Sequence, residues 1–487
     1  MNNCNYLLRR LCLFLSIGLM TPIQLFAEDS SSTIQLWTKS PLGAKIVPSP
    51  QAIADYLAIQ LDSESIEKLW DEKLKSAGAR YQMTLPDGST LQAYTTRVQQ
   101  LKDGWIWVGG IDGDSDKSTV TLSYINGVLA GEIVRSNGKL YRVRFAGDDT
   151  HVIEELSPNK FAPGARPIEV EKFTQVPGRD VNPKVTPGRK PPPKAKRRPK
   201  RDLSMRTPNL NLYNRLDSNF IPTSGAARPS RTPGTARSCE DSGDRIDVLV
   251  VYTQKARITA NGESAMRAKI ALAIDETNQS YANSGILQRV NLVDSREVQY
   301  TEGPFVTKDL EPLQVKDDGV LDEVHGWRDQ AKADIVVLIT DNAQSNPCGV
   351  AFPMRSVVPQ FEEYAFAAVP LSCATGQFNF AHELGHVMGA DEDWGQSTNT
   401  LPFLYSHGLA VPSPIDPWRT IMAENTVCNT PATPNGCVRL KYWSNPEMNW
   451  NGQRMGVSGG SRPADNRRAL NNTAKVVANF RRSCESP

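Results

Sequence analysis

Residues His382–Trp394 read HELGHVMGADEDW. The two histidines stand four apart in a helix-compatible stretch, FNFAHELGHVMG, so both imidazoles project from one face and can hold one metal ion. Glu383, next to the first histidine, can reach a metal-bound water without being a ligand itself. That arrangement suits metal-assisted hydrolysis: zinc lowers the pKa of the water and polarises a carbonyl, and the carboxylate shuttles the proton. The rival reading is a chance pair of helix-surface histidines. The chain of 487 residues has five histidines, and this spacing then arises by accident at a rate on the order of one per cent or less. Gly385 weakens the helix it sits in, which implies a packing reason for it.

A catalytic zinc takes three protein ligands and keeps one open position. Gly389, three residues after His386, can take positive φ and end the helix sharply, so that a residue six after His386 completes the site. That residue is Glu392, flanked by Asp391 and Asp393. Two His and one Glu form a legitimate catalytic set, with less positive charge than three imidazoles and hence a less acidic bound water. Asp391 or Asp393 as the ligand, or a site that binds metal weakly, are the alternatives.

The pattern His-Glu-x-x-His-x-x-Gly-x-x-ligand resembles the metzincins. These carry a methionine turn below the metal, and RTIMAENTVC supplies Met422. IDVLVVYT, YSHGLA, RTIMA, WSNPEMNWNG and ADNRRALNNTAKVVANFR resemble the bacterial adamalysin (reprolysin)-like branch and are similar to peptidyl-aspartate metallopeptidases. WVGGIDGDSDKSTVTLSYINGVLAGEI resembles their pro-domains more loosely. The resemblance implies an α/β metzincin catalytic domain (mostly parallel sheet, active-site helix, Met-turn) preceded by a β-rich pro-domain. It also implies a secreted zinc endopeptidase made as a zymogen, with His382 and His386 as ligands, Glu383 as general base and Met422 as the turn methionine. The chain departs from the family twice. Glu392 stands where the family has His, although Asp393 matches the Asp that follows. Glu424 stands where some members have a zinc-binding Tyr, and takes no such role.

Residues 240–487 read as one α/β domain. RIDVLVVYT is a continuous apolar run, as for a strand covered on both faces. Met266, Ile270, Ile274 and Tyr281 form one helical stripe, with Gly285 as its stop. VNLVDSREVQY and DIVVLIT read as further strands, GVLDEVHGWRDQAKA as a helix, and YAFAAVPLS as an edge strand. Leu470, Ala474 and Val477 mark a last helix. Strand–helix alternation predicts a mostly parallel sheet.

The remainder divides into a signal peptide (1–27), a β-rich pro-domain (28–174) and a basic, Pro-rich linker (175–239). Arg9 and Arg10 before LCLFLSIGLM, then LFA at Leu25–Ala27, read as a secretory signal cleaved after Ala27. In the pro-domain, STVTLSY, VLAGEIV and KLYRVRF are joined by Asn126-Gly127 and Asn137-Gly138, which predict type I′ hairpins. Asp112, Asp114 and Asp116 read as a plain acidic turn, because Lys117 and Ser123 occupy the Gly and Glu positions of a calcium loop. Lys184–Arg201 holds nine Lys or Arg and no acid, so a net charge of +2 leaves the rest of the chain at −7. The basic character is one segment and not a nucleic-acid-binding face. This linker reads as a maturation site, with a passive spacer or a surface-binding tail as alternatives.

Six cysteines follow the signal segment, all from Cys239 onward. An exported domain predicts disulfides, and the expected pairs are Cys348–Cys373, Cys428–Cys437 and Cys239–Cys484. The pro-region has no cysteine to block a metal, and His151, its one histidine, reads as a surface residue before a metal plug. His407 has no ligand spacing but can support the site. Arg439 and Lys441 suggest an acidic substrate preference. The expected protein is secreted or periplasmic and monomeric, acts on proteins or peptides, and does not insert stably in membranes. A catalytically impaired exported metal- or protein-binding homologue is the alternative.

Overall fold

The computed structural model describes residues 33–41, 46–49, 51–71, 78–157, 160–170, 240–342, 347–431, 433 and 436–483. The signal segment, the linker and the Cys239–Cys484 pair lie outside the described residues.

The N-terminal part is a closed barrel of nine strands: β1 (Thr33–Lys39), β2 (Ala52–Leu61), β3 (Arg80–Thr84), β4 (Thr90–Leu101), β5 (Gly104–Ile111), β6 (Thr119–Ile125), β7 (Val128–Val134), β8 (Leu140–Gly147) and β9 (Thr150–Leu156). From β3 to β9 it is an antiparallel meander, which β2 extends beside β9; β1 then pairs antiparallel with β2 and closes the ring by pairing parallel with β3. Alternation sends Trp37, Tyr81, Trp107, Leu122, Val143 and Ile153 into one buried cluster. Asn126 and Gly127 both take positive φ, 47° and 87°, as a type I′ turn requires. The second hairpin differs from expectation. There Gly138 is left-handed (φ 83°) without Asn137, and Arg135 N–H closes on the Lys139 carbonyl, giving a three-residue loop. Asp112 and Asp114 pair with Arg80 and Arg135 at 2.6 and 2.9 Å, in keeping with a structural acidic turn.

His151 corrects the expectation of a surface residue. It is buried in β9, its Nε2 accepts the Leu129 N–H at 3.0 Å, and burial pushes its pKa down to about 4.

The C-terminal part is built on a five-stranded sheet of β10 (Arg245–Thr253), β11 (Arg289–Val298), β12 (Ile335–Thr340), β13 (Val350–Ala351) and β14 (Phe366–Pro370), in the order β11-β10-β12-β14-β13. The first four strands in that order are parallel, and β13 is antiparallel to β14 at the rim. YAFAAVPLS was expected at the edge. It lies inside, because the two-residue β13, too short to show a period, caps it. Cys348–Cys373 and Cys428–Cys437 are bonded as expected, with Cα separations of 5.5 and 5.4 Å.

The helix Glu263–Ser284 ends on left-handed Gly285 (φ 72°) and places Met266, Ile270, Ile274 and Tyr281 in the core under the sheet. Its other side is buried as well, under the barrel. Ala268 and Leu272 pack with Ile125 and Ala130, and Ala271 packs with Ile106 and Val108. Polar contacts join the two bodies there: an Arg97–Asp275 ion pair, Gln279 to Thr121 at 2.9 Å, and Lys441 to Glu132 at 2.6 Å. In the full chain Lys441 is thereby engaged by the barrel. Among the described residues no helix is long and apolar enough to cross a membrane.

Candidate metal centre

Helix Asn379–Val387 is buried along its whole length. Its small residue has a clear cause: a Cβ at Gly385 would stand 2.7 Å from the Trp443 ring and 2.8 Å from Met422 Sδ. The turn methionine therefore packs directly beneath the helix. The helix is closed by Gly389 at φ 87°, with the Ala390 N–H on the Gly385 carbonyl at 2.8 Å. Reversal at that glycine brings Glu392 back over the helix face.

His382, His386 and Glu392 converge. Glu392 Oε1 lies 3.2 Å from His382 Nε2 and 3.3 Å from His386 Nε2, and the ligand atoms of all three fall within 4.8 Å. The far ring nitrogens are held by main chain. His382 Nδ1 lies 2.9 Å from the Ile421 carbonyl and His386 Nδ1 lies 3.2 Å from the Ala390 carbonyl. Donation from Nδ1–H directs each Nε2 at the cluster, where a cation would take the place of the proton that Nε2 otherwise shares with Glu392. Burial disfavours charge on His382, yet Glu392 beside it outweighs burial and raises that imidazole to about 9. Burial also opposes charge on Glu392, and the two imidazoles outweigh it, holding the carboxyl well below its usual range. The second oxygen, Glu392 Oε2, is buried without a hydrogen-bond partner. Two imidazoles and a carboxylate with a spare lone pair suit a divalent cation of zinc type.

The flanking acids have other work. Asp391 accepts from Arg355 at 2.8 Å, Ser397 at 2.9 Å and the Glu392 N–H at 2.9 Å. Asp393 accepts the N–H groups of Gly395 at 2.8 Å and Glu424 at 3.0 Å. Both fix the loop instead of facing the cluster. His407, tied to Asp391 by a parallel bridge, has its ring nitrogens 2.7 Å from the Glu392 carbonyl and 2.8 Å from that of Asn399. Its ring lies against Trp394 at 3.8 Å.

Glu383 points into the same space from the next helical position. It is fully buried, and neither carboxylate oxygen has a hydrogen-bond partner. Burial pushes its pKa up to about 7, against the pull of the two histidines. An unpartnered buried carboxyl at this pKa can both take and return a proton near neutral pH.

Four contributors were not found by reading the sequence. Glu424 was assigned no role, yet it is buried beside the cluster and pairs with Arg439 at 3.1 Å. Arg419 lies nearby, with burial and the Arg439 charge lowering its pKa to about 9. Arg355 holds the Asp391 side of the loop. Gly349 sits against Glu383, and the only sequence cue for it is its place before the short apolar rim, in CGVAFP.

Residues 242–433 match the family described as Metallo-peptidase family M12. A peptidyl-Asp metalloendopeptidase of Xanthomonas campestris pv. campestris is 31% identical over 466 residues, covering 93% of this chain and 92% of its own. One from Stenotrophomonas maltophilia is 32% identical over 410 residues, covering 81% of each chain. The crystal structure of metalloproteinase-II from Bacteroides fragilis aligns with a TM-score of 0.28 at 12% identity, over 66% of this chain and 82% of that one. With relatives matched along nearly the whole chain and the helix, glycine turn and methionine turn in place, the chain belongs to the bacterial reprolysin-like M12 metallopeptidases and is a metalloendopeptidase.

Proposed function

We propose that the protein is a secreted zinc endopeptidase made as a zymogen, with the barrel as its pro-domain and the linker as its processing region. His382, His386 and Glu392 hold the ion, and Glu383 is the general base. The observation that carries this reading is the convergence of those three ligand atoms within 4.8 Å beside a buried, unpartnered Glu383.

Bound zinc supplies Lewis-acid polarisation of the peptide carbonyl and acidification of water. The chain does the rest. Nδ1 donation to the Ile421 and Ala390 carbonyls orients the two imidazoles. Glu383 takes a proton from the attacking water and hands it to the departing amine, the same carboxyl acting as base and then acid. Burial of the helix excludes bulk water and strengthens these charges.

The relatives are named for peptidyl-Asp cleavage, and we extend an acidic preference to this chain. Support comes from Arg419 and Arg439, two buried guanidiniums of which Arg439 pairs with Glu424 and Arg419 lies in the field of Glu424, Glu392 and Asp393, each with an unpartnered Nε. An incoming carboxylate could accept from these free Nε donors.

The test is cleavage of a peptide library by the processed chain with and without zinc. Activity that needs zinc, falls about 10²–10⁴-fold in Glu383→Ala and favours sites with an acid near the cut supports the reading. Stoichiometric zinc without turnover would instead identify a binding homologue.

A further inference from the structure

After β9 the chain leaves the barrel and runs across the metal centre. Residues 161–170, FAPGARPIEV, lie along the free edge of β13. The Pro163 carbonyl accepts the Cys348 N–H at 2.9 Å, and the Ala165 and Ile168 N–H groups donate to the Gly349 and Ala351 carbonyls at 2.9 and 3.1 Å. Pairing of 163, 165 and 168 with 348, 349 and 351 makes the segment parallel to the rim. Gly164 occupies the centre. Its N–H donates to Glu424 Oε1 at 3.3 Å. A Cβ on it would stand 3.3 Å from His382 Nε2, 3.4 Å from Glu424 Oε1 and 3.7 Å from Glu383 Oε1. Main chain therefore passes directly over the ligand nitrogen and the base.

Both sides of this crossing are fastened. Phe161, Ala162, Ala165 and Ile168 pack against the catalytic core, and Val170 is buried in it. Glu169 takes a forked contact from Arg355, with Nε 3.1 Å from both carboxylate oxygens and a terminal nitrogen 2.7 Å from Oε1. Arg355 reaches on to Asp391, one residue from Glu392. Pro163 and Pro167 restrict φ and keep the segment near its extended form, which reduces the entropy lost on seating.

We propose that residues 161–170 are an autoinhibitory latch that closes the metal centre with backbone at Gly164, clamped by Glu169 on Arg355, and without any side-chain ligand. This rests on the zymogen reading and supplies its regulation. FAPGARPIEV has no cysteine or histidine, and its one carboxylate is engaged by Arg355. Blockade is steric and by rim pairing, so it ends when the barrel and latch are carried away together.

The test uses the full chain carrying Glu383→Gln, which prevents turnover, loaded with zinc and assayed for bound metal. The probe is a fluorescent tripeptide hydroxamate. Adding Gly164→Leu or Glu169→Ala should tighten hydroxamate binding by about tenfold or more, as the fraction of open molecules rises. Amide exchange in a 161–170 peptide should quicken while barrel peptides stay unchanged. Should Gly164→Leu misfold, Glu169→Ala, at the half-exposed end of the latch, carries the test. Equal hydroxamate affinity and equal exchange in parent and variants would overturn the latch. Faster latch exchange in a chain that holds no zinc would keep the latch and remove the zinc reading.

Discussion

Gly349 and Glu383 leave no room between them for a side chain: a Cβ at 349 would stand 2.3 Å from Glu383 Oε1 and 2.7 Å from its Cγ. The rim glycine thus sets the position of the base. Gly349→Ala is expected to swing the carboxylate aside, cutting kcat by about 100-fold, within the range attributed to a general base. Bound zinc should stay unchanged, because the ligands are untouched. Steady-state kinetics paired with metal analysis checks this, and full activity in the alanine variant would show that Glu383 is not held there during turnover.

Glu392 should carry metal affinity, and its neighbours should affect it only through the loop. Glu392→Ala is expected to weaken zinc binding by more than about 100-fold, Asp391→Ala or Asp393→Ala by about 10–100-fold, as for outer-shell changes. Glu392→His should restore tight binding with a three-imidazole set. Competition against a chelating dye measures all four. Parent-like affinity in Glu392→Ala would refute the assignment.

Gly385→Ala ought to stabilise a free helix by about 1 kcal/mol. Here the added methyl meets Trp443 and Met422 at under 3 Å. Overpacking of that kind costs about 1–3 kcal/mol. The expected result is a lower Tm by calorimetry together with weaker zinc binding. A raised Tm would mean that the methionine turn yields freely.

His151 predicts an acid limit for the barrel. Its pKa is about 4 in the fold against 6.5 in a free chain. A depressed folded pKa gives stability that is present above 6.5 and lost as pH falls towards 4. The 2.5-unit difference corresponds to roughly 3 kcal/mol at most. Tryptophan fluorescence of denaturant unfolding between pH 7 and 4.5 should follow this loss, and His151→Gln should flatten the slope. An unchanged slope would assign acid sensitivity to other groups.

Sequence pattern revealed the parts of the fold whose period is local. β10 and β12 are continuous apolar runs, and the Met266–Tyr281 stripe of the long helix reads directly. The side of that helix under the barrel did not, because alanines among Asp275, Glu276 and Gln279 look like a solvated face. Likewise β13, with two residues, carries no period, so β14 was placed at the edge. At the metal centre His382, Glu383, His386 and Glu392 were legible from spacing along one helix and one glycine turn. Glu424 was not: its partners are Arg439, 15 residues on, and Gly164, 260 residues back, and only tertiary closure joins them.

The long helix must serve two environments. Under the barrel, Ala268, Ala271 and Leu272 need apolar neighbours, and Asp275 needs Arg97. In the processed enzyme we propose, the same surface meets water. A leucine-rich face would seat the barrel firmly but leave the freed protease prone to self-association. A fully charged one would stay soluble but resist docking, since buried charges need partners. Alanines interleaved with acids lie between these extremes. Substitutions on this one face should therefore trade folding-stage cohesion against the solubility of the product, without touching the metal centre.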